Sequence, residues 1–283
     1  MSGGVRPMIP AVLTVVFVLL SLESYIEGLL GVHSFMGDMG ALWRPVFIGL
    51  ALTSLLVWLI ATGSGAFLQR ISDFCANFAG GIGKAASWIV LALIIIIMFD
   101  VITRKIEFIK IWNAGITSTY GFSVSFILQD FQWHLHGVLL LMTFGFGYIF
   151  NSHVRVDIFR EGASRRGQAK IETFGLTILA IPFMLVMIGF SADFAWASFQ
   201  QGEGSESMVG LGWRWIIKSF LVWGFCVALL AAVATLIRSL IFLYGDIEEQ
   251  TVAEDTIQYF TDKDAMASLI LEQNKGEAAK GGQ

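Results

Sequence analysis

QWHLHGVLLLMTFGFGYIFNSHVRVDI, residues 132–158, is the stretch whose reading decides the fold. It joins an apolar run to an aromatic, histidine-bearing start (Trp133, His134, His136) and a charged exit (His153, Arg155, Asp157). Tryptophan at one end and arginine at the other are what a helix crossing a bilayer presents to its two interfaces. The exit continues into Arg160, Arg165, Arg166 and Lys170, a basic cluster that marks the cytosolic side.

The composition around this stretch points the same way. The chain is 56% hydrophobic and 14% charged, with a mean hydropathy of +0.73. It carries 24 Phe and 9 Trp in 283 residues. A soluble domain has about 25% charged residues, so burial in a water-soluble core cannot hide this much apolar surface. An all-α, polytopic integral membrane protein is expected. The net charge of −4 carries little information, because nine of the 22 acids lie beyond Tyr244. Nothing in the remainder is basic enough to imply a nucleic-acid partner.

A helix needs about 20 apolar residues to cross a hydrocarbon core of about 30 Å. Six such runs are expected, at 8–32, 42–62, 86–103, 133–151, 172–193 and 213–243. The first is too long for a signal peptide and is followed by no small-residue cleavage site, so it is expected to persist. With the N-terminus inside, eleven Lys and Arg fall in the inner segments and three in the outer connections, four more lying at span edges. That bias places both termini in the cytoplasm. Three regions follow: an N-terminal hairpin with an interfacial helix (1–84), a four-span core (85–245) and an acidic cytoplasmic tail (246–283).

The connections have distinct characters. In 64–84, Phe67, Leu68, Ile71, Phe74, Cys75 and Phe78 share one helical face, opposite Gln69, Arg70, Ser72, Asp73 and Asn77. This amphipathic segment is expected to lie in the membrane interface and to be broken by Gly80, Gly81 and Gly83. The outer connection 104–132 alternates aromatic and polar residues and suits the outer leaflet surface. The tail has one short helical pattern, around Ala265–Glu272.

Candidate chemistry is sparse. Cys75 and Cys226 have no second cysteine at ligand spacing and read as small packing residues rather than a disulfide or zinc site. Glu23 and Glu27 share one helical face, open to an ion or proton site or to a polar contact with outer loops. Asp100 has Arg104 at i+4, an ordinary local pair. Membrane cytochromes hold haem between histidines of neighbouring helices. His134 and His153 stand at opposite ends of one span, about 28 Å apart at helical rise, and His33 lies in an outer loop. A haem-bearing redox anchor is therefore the alternative class, and no cofactor is expected. No HExxH, GxSxG or facing Asp–Asp arrangement occurs, so no enzyme activity is expected. The glycines of GFGFG permit close helix approach but do not form a phosphate loop.

From about Ala85 onward, over about 160 of the 283 residues, the chain resembles the small membrane subunit (DctQ-type) of the tripartite ATP-independent periplasmic, or TRAP, transporters. The resemblance is carried by LQDFQWHLHGVLLL (128–141), HVRVDIF (153–159), and the loop GEGSES with the following GLGWRWIIKSFLVWGF (202–225), together with the four-span order. It implies a non-catalytic scaffold in the bacterial inner membrane. Its implied partners are the large elevator subunit of a sodium-driven organic-acid transporter, a periplasmic substrate-binding protein and the lipid bilayer. The implied interface residues are Gln132, Trp133, His153, Arg155, Asp157, Trp213, Arg214 and Lys218. Arg155 and Asp157 are too close in sequence to face each other on a helix, so each is expected to find its own partner or to lie in a solvated loop. The first 84 residues have no counterpart in the family core.

The charge bias makes the topology testable. Reporters fused after Gly37, Gly115 and Gly204 should read periplasmic, and those after Gly81, Gly162 and Gly276 cytoplasmic. A periplasmic reading after Gly162 would invert the whole arrangement.

Overall fold

Hydrocarbon offers no hydrogen-bond partners, so an apolar segment must close its backbone hydrogen bonds within itself, and the helix does this. The computed structural model describes residues 8–30, 40–152, 162–205 and 209–257, with side chains for all of these except 23–30, 40–42, 255 and 256. Its helices are α1 (Met8–Leu30), α2 (Gly40–Ala61), α3 (Gly65–Ser87), α4 (Ile89–Thr103), α5 (Glu107–Tyr120) and α6 (Val124–Ile149). After these come α7 (Arg165–Gly175), a π-helical turn (Leu176–Ala180), α8 (Ile181–Gln201), α9 (Trp215–Tyr244) and α10 (Ile247–Thr256). Among the described residues no strand occurs.

Four stretches are long and apolar enough to cross a membrane: Trp43–Ala61, Gly65–Thr103, Arg165–Gln201 and Trp215–Tyr244. This is the pattern of a multi-pass membrane protein. The sequence predicts six spans. One of the remaining two, α1, is helical, with Met8–Leu22 as its described apolar part. The other, α6, starts at Val124 rather than Trp133. Gln129, Asp130, Gln132, His134 and His136 all sit in its first half and dilute its apolar character.

The chain divides into two compact units. One comprises Met1–Ala76, Ile149–Pro182 and Ala232–Gln283; the other comprises Asn77–Tyr148 and Phe183–Ala231.

In the first unit, α1 packs along α2 as a hairpin, with Thr14 Oγ1 and Ser54 Oγ 2.9 Å apart. Gly49 of α2 lies against the carbonyl of Thr177 in the π turn, and Thr53 and Thr177 hydroxyls meet at 2.8 Å. The π turn ends two residues before Pro182. Proline has no N–H and crowds the carbonyl four residues back, and one widened turn accommodates it without ending the helix. The start of α3 pairs with the end of α9. Ser72 is fully buried and donates to the Ala234 carbonyl at 3.1 Å, while Asp73 Oδ1 accepts from Arg238 Nη2 at 3.0 Å.

That pairing corrects the expected amphipathic face. Ser72 is turned not to water but toward α9, and the half-exposed Asp73 reaches across to the largely covered Arg238. The phenylalanines of the same helix separate from its buried stripe. Leu68, Ser72, Cys75, Ala76 and Ala79 are buried, whereas Phe67 and Phe74 are 63% and 71% exposed.

The expected glycine break is also corrected. Helix α3 runs through Gly80, Gly81 and Gly83 to Ser87, and Trp88 keeps right-handed helical angles at φ −65°, ψ −19°. Gly65–Thr103 is thus one helical rod with a single loosened turn. In the second unit the glycines serve close approach instead. A Cβ on Gly83 would run into the Phe146 ring. One on Gly145 would lie 2.7 Å from Val227 Cγ1 and 2.9 Å from its carbonyl oxygen. One on Gly224 would lie 2.9 Å from Leu141 Cβ. Helices α6 and α9 are therefore in backbone contact, with Phe144, Phe183 and Phe225 packed beside the crossing.

The connection expected on the outer side is α5, an amphipathic helix ended by Gly121 at φ +75°. Phe108, Trp112 and Tyr120 stand 77%, 55% and 70% exposed. The tail holds a helix absent from the sequence expectations, α10. Its capping box is formed by Asp246 and Glu249, a spacing visible in the sequence. The expected helix around Ala265–Glu272 lies outside the described residues.

Two glycine substitutions separate these roles. A Cβ added at Gly81 would meet nothing within 4 Å, so Gly81→Ala should gain about 0.5–1 kcal/mol from helix propensity. Gly145→Ala must push Val227 away and should cost about 1–3 kcal/mol. Thermal unfolding in detergent reads both. A destabilised Gly81→Ala would restore the glycine break, and a neutral Gly145→Ala would remove the close crossing.

Candidate functional site

The first half of α6 carries polar side chains on two faces, and each face is engaged. Ser125, Gln129 and Gln132 are spaced by four and three residues, so they line one side. They meet the end of α4, where Asp100 is only 3% exposed. Arg104 binds Asp100 through Nε to Oδ1 at 3.1 Å and Nη2 to Oδ2 at 2.5 Å. Ser125 Oγ donates to Oδ1 at 3.2 Å and Gln132 Nε2 to Oδ2 at 3.3 Å. With its amide oxygen turned toward the guanidinium, Gln129 accepts from Arg104 Nη1 at 3.0 Å. The local pair expected from sequence is present, and it is one edge of a five-residue network.

Chemically, both Asp100 oxygens are committed to donors. A buried carboxylate in such a setting is a clamp. Removing a donor would leave part of a buried charge unsatisfied, which costs about 1–3 kcal/mol for each lost partner.

The other side of α6 holds the loop that precedes α9. Asp130 Oδ2 accepts from the Leu211 amide at 2.8 Å, and the Ser123 amide donates to the Val209 carbonyl at 2.9 Å. The α6 N-terminus itself is capped from α5: Asn113 Oδ1 accepts from the Val124 amide at 2.9 Å. His134 Nδ1 lies 2.5 Å from the Asp130 carbonyl oxygen, and its Nε2 is buried with no hydrogen-bond partner.

A second ion pair closes the same loop. Lys218, near the start of α9, binds Glu203 and lies 3.8 Å from the centroid of the Phe194 ring. Ser198 Oγ donates to Glu203 Oε2 at 2.5 Å, and the Arg214 amide donates to the Glu203 carbonyl at 3.2 Å. Trp215 stacks edge-on against Phe199, which lies on Trp196. The hydrogen bond from Lys218, then that from Ser198, hold the Glu203 carboxyl below its ordinary range, helped by the charges of Lys218 and Arg214.

The residues singled out from sequence divide accordingly. Gln132 and Lys218 point into the two networks, and Arg214 borders the second. Trp133 and Trp213 stand outward, 77% and 72% exposed, with Trp213 at a positive φ of 61°. His153, Arg155 and Asp157 lie outside the described residues, as do His33 and the side chains of Glu23 and Glu27. Sequence reasoning does not single out Ser125, Gln129, Ser198 and Glu203. The first two have a signal, the helical spacing of polar groups opposite a buried acid; the last two meet only through the loop's path. Among the described residues, no group of three or more His, Cys, Asp or Glu could hold a metal ion.

Compared with known protein families, characterised proteins and solved structures, the chain gives no match.

The depressed Glu203 carboxyl sets a pH response for the 202–214 loop. A carboxyl lowered by folding stabilises the fold above its unfolded value, 4.5, and that contribution fades as pH falls below it. Hydrogen-exchange protection of the loop amides should be flat from pH 7 to about 5 and decline below 4.5. In Lys218→Met the loop should be less protected throughout, with a weaker acid response. Identical profiles for the two proteins would dissociate the pair from loop order.

Proposed function

We propose that the chain is the small, non-catalytic membrane subunit of a tripartite, sodium-dependent organic-acid uptake transporter of the TRAP type. It would reside in the bacterial inner membrane with both termini cytoplasmic. Its role is to brace the large elevator subunit, widening the fixed scaffold against which that subunit moves. Its periplasmic loops offer a place for the substrate-binding protein to dock.

One observation carries this reading beyond the sequence resemblance. The acids Asp73, Asp100 and Glu203 are each bound by a base of the same chain. What the helices turn outward is aromatic and aliphatic: Trp88, Phe190, Trp196 and Trp223 are 75%, 67%, 61% and 64% exposed. Acids paired within the chain and aromatic rings turned outward suit a subunit that works by helix packing in lipid. The 202–225 segment, which carries part of the resemblance, also holds the Glu203–Lys218 pair, with Trp215 against Phe199.

Reconstitution tests the proposal. Proteoliposomes with this chain alone should show no sodium-driven uptake of organic acids, and uptake should appear once the large subunit and binding protein are added. Asp157→Ala should weaken co-purification of the large subunit while leaving membrane insertion intact, and Lys170→Ala should change little. Transport by the chain alone would overturn the scaffold role. An intense Soret band in the purified protein would replace it with a haem-bearing anchor.

A further inference from the structure

In the first unit, the start of α3 and the junction of α9 with α10 border a half-open cavity of about 530 Å³. Its wall holds one cation, Arg70, and three acids, Asp246, Glu248 and Glu249, with Gln69 beside them. Ala66, Ile241 and Val252 supply an apolar side. Ile241 is in the last turn of the apolar helix α9, which ends at Tyr244, so the cavity opens where acyl chain gives way to headgroup.

The charges in this cavity are arranged unevenly. Glu249 is committed: its carboxylate lies against Gly65 at the start of α3 and accepts from the Asp246 amide at 3.3 Å. A side chain at position 65 would exclude it. Asp246 caps α10. Arg70 and Glu248 are both exposed, line the same cavity, and form no ion pair with each other. A cation and an anion held apart on one wall are complementary to a ligand that itself carries both charges. The apolar side suits the glycerol and first acyl carbons of a lipid. Three acids against one base favour the ligand's ammonium end and disfavour a purely anionic ligand.

We propose that this cavity is a binding site for the headgroup of a zwitterionic phospholipid with a primary ammonium, phosphatidylethanolamine. Arg70 receives the phosphate, as guanidinium suits. Glu248 receives the ammonium, whose N–H groups donate to its carboxylate oxygens. A quaternary choline ammonium cannot make those bonds, so the site distinguishes the two zwitterionic headgroups. The proposal does not rest on the transporter reading and applies to the chain in any membrane assembly.

Native mass spectrometry of the full-length protein, released from mixed micelles holding equal phosphatidylethanolamine, phosphatidylcholine and phosphatidylglycerol, tests the site. Phosphatidylethanolamine should be retained preferentially. Arg70→Gln and Glu248→Gln should each lower its retention roughly tenfold, the loss of one charge-assisted hydrogen bond. Lys110→Gln, in the second unit, should not change it. Both test positions are exposed, and circular dichroism and monodispersity of each variant check folding. Equal retention of the three lipids would overturn the proposal. So would a preference for phosphatidylglycerol, or loss in Arg70→Gln alone with choline and ethanolamine lipids equivalent, since a phosphate-only contact needs no acid wall.

Discussion

The constraint on which the arrangement depends is that an apolar medium supplies neither hydrogen bonds nor solvation to a charge. An ionised side chain at mid-bilayer costs about 2.5–3.5 kcal/mol on insertion scales. An acid drawn against a neighbouring helix therefore gains from a partner in its own chain. Asp100 finds Arg104, Ser125 and Gln132, and Asp73 finds Arg238. Those pairings fix which faces of α4 and α6, and of α3 and α9, are turned toward each other. The close contact of α6 with α9 is then possible only where one of the two helices is bare, as at Gly145 beside Val227 and at Gly224 beside Leu141.

How far this is legible in the sequence depends on whether the signal is periodic. The helical class, the apolar runs and the Asp100–Arg104 pair follow from composition and i,i+4 spacing, and the structure has them. The glycines of 80–83 mislead because a propensity cost of about 1 kcal/mol each does not by itself end a helix, and of Gly81 and Gly83 only Gly83 is placed by close approach, to Phe146. Ser72 and Asp73 read as solvated because polarity alone does not reveal a distant Arg238. Apolarity places the start of α6 at Trp133, whereas the helix begins at Val124. Its first turns are held by Asn113 and Asp100, and sequence-local apolarity carries no trace of either. Glu203 and Lys218 are separated by an irregular loop whose course no periodicity encodes.

The joints also constrain what kind of moving part the chain can be. A two-state transport element needs two alternative sets of partners close in energy. Here Asp100 has both oxygens satisfied in one arrangement. Asp130 and Ser123 tie α6 to the loop before α9, and Lys218 is held at once by a carboxylate and an aromatic face. Shifting α6 by one turn would break the Asp100, Asp130 and Ser123 interactions together, each being worth about 0.5–3 kcal/mol. Motion of the second unit as one body costs none of them. A unit whose buried Asp100 is fully engaged and whose rings stand outward is suited to being packed against, and that physical character is what the scaffold proposal asks of it.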